Sequence, residues 1–231
     1  MKKLKAIFST ALAFAMTFIV STSCFATSPS NQGLTEPTER FVEMCDNLFN
    51  NPEEYKALDK AQNDVTNMFI NKYAPYYNSK EYNVLLDAFE DELYGIMWEN
   101  ESQKATRGTI VDRSVEKSFY VIDETTEFSP GKTFEMTYTV SGDYSFDSST
   151  RQIVDYSDAQ LNIDYFWAGS AFDYHLFGVS TSATPTSGNN RVNFRATFSL
   201  TLEFEYDINN FPITAEEDFG PYSGSVLGYA Q

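Results

Sequence analysis

Asp173 and His175 stand two residues apart in a chain whose only histidine is His175. Two residues apart on a strand means one face, so the pair could form a carboxylate–imidazole couple for general-base work. A triad needs a serine as well. No Gly-x-Ser-x-Gly elbow nominates one; Gly169 and Ser170 stand alone. The expectation for His175 is therefore a hydrogen-bonded structural side chain. The cysteines are Cys24 and Cys45, and Cys45 sits beside Met44 and Leu48, as a small buried apolar residue would. One His and one or two Cys cannot assemble an ordinary zinc site within one chain. The acidic groups Asp155 with Asp158, and Glu216 to Asp218, lack the spaced ligands of a calcium loop. No phosphate-cradling glycine loop or dinucleotide fingerprint occurs. The reading assigns no catalytic residue, no metal and no cofactor.

Two chemistries survive. Glycoside hydrolysis needs two carboxyl groups at a suitable separation, and the chain has 33 acids. Most of them flank helix caps or alternate with apolar residues, as a solvated surface does. Binding through amphipathic rings is the other: Tyr144, Tyr156, Tyr165, Trp167 and Tyr174 could stack on sugar faces or anchor a protein.

The 231 residues carry 16 Lys and Arg against 33 Asp and Glu, a net charge of −17. Like charge disfavours nucleic acid and anionic membranes as partners. Aromatics at 16%, with 20 Phe and 15 Tyr, favour a sheet-rich core. Met1 to Ala26 reads as a cleaved secretory signal. Lys2, Lys3 and Lys5 precede an uncharged run from Ala6 to Val20, then small residues with Cys24 and Ala26 at the minus-three and minus-one positions. Such a run is about 22 Å long as a helix, short of the roughly 30 Å hydrocarbon core, so no stable membrane span is expected after cleavage. The alternative is lipidation of Cys24, for which Ser21 is a poor residue three places before. Cleavage after Ala26 leaves Cys45 alone, with no intramolecular disulfide in an exported protein.

Residues 27–35 read as a polar tether and 36–104 as a helical segment of about three helices. Pro37 suits the first turn of a helix carrying Phe41, Met44, Cys45 and Leu48. Asn51 before Pro52, Glu53 and Glu54 looks like the start of a second, with Tyr55, Leu58, Val65, Met68 and Phe69, ending near Ala74. Ser79 would cap a third, with a stripe from Tyr82 to Met97.

From about Arg107 the period becomes two. Phe134 to Val140, Leu161 to Trp167 and, above all, Val192 to Tyr206 alternate apolar and polar. The last run would span about 50 Å, so a bulge or bend is expected in it. The Pro185–Asn190 loop joins it to an earlier strand as a long hairpin. The fold class is α+β: a helical segment, then an antiparallel β-sandwich or open barrel over 107–231. The change of texture over 102–109 predicts a domain boundary there.

Tyr138-Thr139-Val140-Ser141-Gly142, Tyr144-Ser145-Phe146 and the Asp147–Thr150 turn give the β-region, over roughly residues 117–230, a texture that resembles uncharacterised secreted β-domains of Gram-positive bacteria. The resemblance implies an extracellular location and carries no catalytic residues over. The functional expectation is a secreted, non-enzymatic binding protein for a glycan, a cell-wall polymer or a protein. A secreted carboxylate-dependent hydrolase is the runner-up, and a membrane-active β-hairpin protein comes third.

Overall fold

The computed structural model describes residues 36–125, 132–168, 171–208 and 211–231. The expected signal and tether lie outside them, as do Gly169 and Ser170. Thr38 accepts a hydrogen bond from the Phe41 N–H (3.0 Å) and caps α1 (Glu39–Asn50). Pro37 thus sits just before the cap, not in the first turn. The stripe Phe41, Met44, Cys45 and Leu48 is buried as its spacing requires.

The expected second helix does not start at Asn51. Asn51 closes α1, its N–H bonding the Asn47 carbonyl, and its own carbonyl receives Glu54 and Tyr55. The Pro52–Glu54 stretch is a turn into β1 (Tyr55–Asp59), where Ala57 and Leu58 are buried in different clusters. A helix resumes as α2 (Thr66–Asn78), which runs through Pro75. The turn around Pro75 is held by packing: Tyr77 stacks on Phe49 of α1, centroids 4.3 Å apart. Tertiary contact thereby overrides the local cost of a helical proline.

The third helix is shorter than its stripe suggested. α3 (Tyr82–Glu92) ends where Leu93 turns extended, and β2 (Leu93–Arg107) follows at once. Leu93 and Ile96 are still buried against the helices, but from a strand. Their spacing imitated a helical stripe. Residues 36–104 are therefore not wholly helical, and the boundary expected over 102–109 falls at the end of β2 and its turn into the next strand.

β3 (Ile110–Thr125), β4 (Lys132–Asp147), β5 (Gln152–Tyr156) and β6 (Gln160–Ala168) complete the larger sheet, ordered β1-β2-β3-β4-β5 with β6 also on β4. β7 (Ala171–Pro185), β8 (Arg191–Ile208) and β9 (Phe211–Tyr229) form a second sheet in that order. Every strand pairing among the described residues is antiparallel. The antiparallel β-rich part is thus two packed sheets, sandwich-like, with helices on the outer side of the larger one.

Alternation along β3 and β4 assigns the layers. Phe119, Val121, Phe134, Met136, Tyr138 and Val140 meet Val192, Phe194, Phe198, Leu200, Leu202 and Phe204 of β8 between the sheets. Tyr120 and Ile122 face the helices instead, beside Phe41, Leu85 and Phe89. The expected irregularity of β8 lies between Phe198 and Leu200, where its register with β9 shifts. Gly142 sets how closely the sheets approach, since a Cβ there would lie 2.2 Å from the Phe194 ring. No helix among the described residues is long and apolar enough to cross a membrane.

Candidate functional site

β1 is the edge of the larger sheet, and its register with β2 sets Tyr55 opposite Trp98. Their ring centroids are 5.5 Å apart and the planes tilt by 35°. Both rings rest against the helical core on one side and stay half-buried. On the open side lies a cleft of about 710 Å³, walled by Tyr55, Met97 and Trp98 and edged by Glu53, Glu54, Asp64 and Glu99. Lys56, the cation of that lining, donates to the Pro52 carbonyl (2.6 Å). Glu99 pairs with Lys117 at 2.5 Å. Asp64 accepts from both the N–H and the hydroxyl of Thr66; burial pushes its carboxyl up, but those two bonds and the nearby Lys56 ammonium together hold it below the usual range. Glu53 and Glu54 are exposed to solvent.

Of the five rings singled out in the sequence, Tyr144 and Tyr156 come together, as cross-strand partners of β4 and β5. They line a smaller cleft of about 370 Å³ with Lys104, Arg107, Asp112, Arg113, Asp143 and Asp155. Tyr144 is itself buried, and its hydroxyl donates to Glu101 (2.8 Å) and accepts from the Tyr229 N–H (3.1 Å). Burial first, then Glu101, pushes that phenol up to about 12. Tyr156 is 42% exposed. The cations of this cleft are already matched: Lys104 with Asp143, Arg107 with Asp112, Arg113 with Glu101.

Tyr165 and Trp167 lie elsewhere, on the helix side of the sheet, in register with Thr137 and Glu135. Glu135 is only 2% exposed and takes hydrogen bonds from the Tyr120 and Thr38 hydroxyls, both 2.8 Å, on one oxygen. Burial raises its carboxyl above the ordinary value despite those donors and nearby Arg40. The Arg40 guanidinium lies 5.9 Å from the Tyr165 ring centre. Tyr174 belongs to the second sheet and packs on Phe166, centroids 4.3 Å apart, at the margin of the core. The five rings thus occupy three places.

His175 bonds Glu203 across β7 and β8 (Nε2 to Oε1 2.6 Å), while Asp173 accepts from the Tyr174 N–H. Cys45 is buried, which raises its thiol far above the ordinary range. Neither arrangement presents an activated nucleophile. Tyr55 and Met97 have the spacing of helical stripes, and Trp98 lies outside those stripes. The available signal was Tyr94, Ile96 and Trp98 alternating ahead of the polar Glu99–Lys104 run. Comparison with known families, with characterised proteins and with solved structures finds no match for this chain.

Proposed function

We propose that the chain is a secreted, non-catalytic binding protein that takes an extracellular glycan or cell-wall polymer in the Tyr55–Trp98 cleft. The observation that carries this reading is the ring pair with polar groups along its rim. Aromatic walls supply a stacking surface, and carboxylates and amides beside them fix the orientation of a polyhydroxylated ligand. Asn100 also lines the cleft and is anchored by its side-chain N–H to Glu116 (3.0 Å). Against catalysis stands the state of the acids. Glu135, a carboxyl raised by burial, lines neither cleft, and one of its two oxygens accepts from both the Thr38 and Tyr120 hydroxyls. Export rests on the Lys-rich, apolar and small-residue order of Met1 to Ala26.

The test is an array of glycans and cell-wall polymers probed with the mature protein and with Trp98→Ala. Binding without turnover that Trp98→Ala abolishes is the expected result. Release of shortened product would favour the hydrolase. Protein recovered from culture supernatant should begin close to Thr27 by mass spectrometry; lipid on Cys24 would contradict export by a cleaved signal.

A further inference from the structure

The second sheet has one covered margin and one open one. At the β9 margin, side chains of the larger sheet reach the strand's backbone. The Ser223 carbonyl accepts from the Tyr138 hydroxyl (2.8 Å), and the Tyr229 N–H donates to the Tyr144 hydroxyl (3.1 Å). At the other margin lies β7, and among the described residues no strand pairs with its outer edge. Every residue from His175 to Ser182 is exposed. Leu176 stands opposite the buried Leu200 and so points to the core side, yet it is 38% exposed. Phe177, on the outer face opposite Ser199, is 43% exposed, and Val179 is 51% exposed. An open edge with apolar side chains on both faces is a template for another strand.

The charge pattern says which strand. Marginal strands are commonly blunted by charge, and the others here are: Lys56 and Asp59 on β1, Asp155 on β5, Asp164 on β6, Glu216 to Asp218 on β9. The uncharged stretch of β9, Phe219 to Tyr229, is the one those tyrosine hydroxyls cover. Leu176 to Pro185 of β7 is uncharged and uncovered, in a chain with a net charge of −17. A charged peptide finds no counter-charge along it. A second copy, which the rest of the surface repels, meets itself here with no like charges opposed. Past the bulge between Phe177 and Ser180, the run from Ser180 to Pro185 keeps unbroken register on β8. We propose that β7 pairs antiparallel with β7 of a second copy about a two-fold axis at Ser182, joining two three-stranded sheets into one. In that register Thr184 faces Ser180 of the second copy, a hydroxyl pair, and Val179 faces Pro185. The two Asp173 side chains then lie roughly 60 Å apart, far beyond the reach of their repulsion in salt. The pairing goes beyond the ligand reading and uses a different sheet from the Tyr55–Trp98 cleft.

Sedimentation velocity of the mature chain over a concentration series reads the association. The wild type should dimerise reversibly; a chain that stays monomeric up to about 1 mM overturns the inference. Ser182 lies opposite Arg195 on β8, and both are exposed, so Ser182→Lys sets a row of like charges across the two copies. That variant should dimerise at least about tenfold more weakly. Adding Ser182→Glu to fluorescently labelled Ser182→Lys should restore dimerisation of the labelled chain, since opposite charges then face each other at the axis. Restoration also shows that the lysine variant is folded. Thr184→Lys mixed with Ser180→Glu repeats the test away from Arg195, and these two should prefer each other to themselves. Dimerisation that Ser182→Lys leaves intact, or the absence of preference in both mixtures, overturns the β7 pairing.

Discussion

At the residue scale the inter-sheet core turns on a few rings. Phe198 is 1% exposed and packs edge-on to Tyr138 (5.1 Å between centroids) and against Tyr222 (5.4 Å). Phe198→Ala removes all of that contact from both sheets and should cost about 3–5 kcal/mol by urea denaturation. Glu203 lies on the other face of the same strand, paired with a largely exposed His175. Glu203→Gln should change stability by less than about 1 kcal/mol. Glu135 makes one pH-dependent contribution. Its folded carboxyl titrates above the unfolded value near 4.5, so the folded state holds the proton more tightly. That preference favours folding fully at low pH and is lost as pH rises through the folded value. Glu135→Gln keeps a carbonyl acceptor for Tyr120 and Thr38 without the buried charge. The variant should exceed the wild type in stability at pH 8, and the gap should close towards pH 4.5. Thermal unfolding across that range measures it.

At the element scale, α1 is joined to the sheet through its cap. Thr38 accepts from the Phe41 N–H and donates to Glu135, so one hydroxyl serves the helix end and the buried acid together. Thr38→Ala should lose about 1–2 kcal/mol, and less in a Glu135→Gln background, where the lost donor no longer strands a charge. Chemical denaturation of the four proteins of the cycle gives the coupling. The apolar stripe of α1 was legible because a single helix buries it whole. α2 and α3 were legible only in part. Pro75 reads locally as a stop, yet Tyr77 on Phe49 holds the turn that contains it. Leu93, Ile96 and Met97 have helical spacing, but the strand they form buries Leu93 and Ile96 on one face and packs Met97 on the other.

At the scale of the whole molecule, helices and sheets share cores across the boundary that texture suggested. Leu93 and Ile96 of β2 and Tyr120 and Ile122 of β3 are covered by α1 and α3. Residues 107–231 alone would lack β1 and β2, leave the long edge of β3 unpaired and expose that face. Expressed by itself, this segment should be insoluble or molten, with dye-binding apolar surface and no cooperative unfolding transition. A soluble product that unfolds cooperatively would show that the sheets stand without their helical cover.

Alternation along β4 and β8 was determined by sequence alone, since period two assigns each residue to a face whatever lies opposite. So were the burial of Phe194, Phe198 and Leu200, the polar outer side of β8, the need for an irregularity in so long a strand, and the antiparallel class. The sequence also made Cys45 a core residue and denied the chain a zinc ligand set. The tertiary structure decided which faces meet, how rings distribute and where the cleft lies. Tyr144, Tyr156, Tyr165, Trp167 and Tyr174 are alike in sequence, yet they divide among the paired strands β4 and β5, the helix side of the larger sheet and the margin of the second sheet. Tyr55 and Trp98 are 43 residues apart, and only the pairing of β1 with β2 makes them neighbours. Local propensity reads a few residues at a time, whereas a cleft is a product of register between segments that chain order keeps apart.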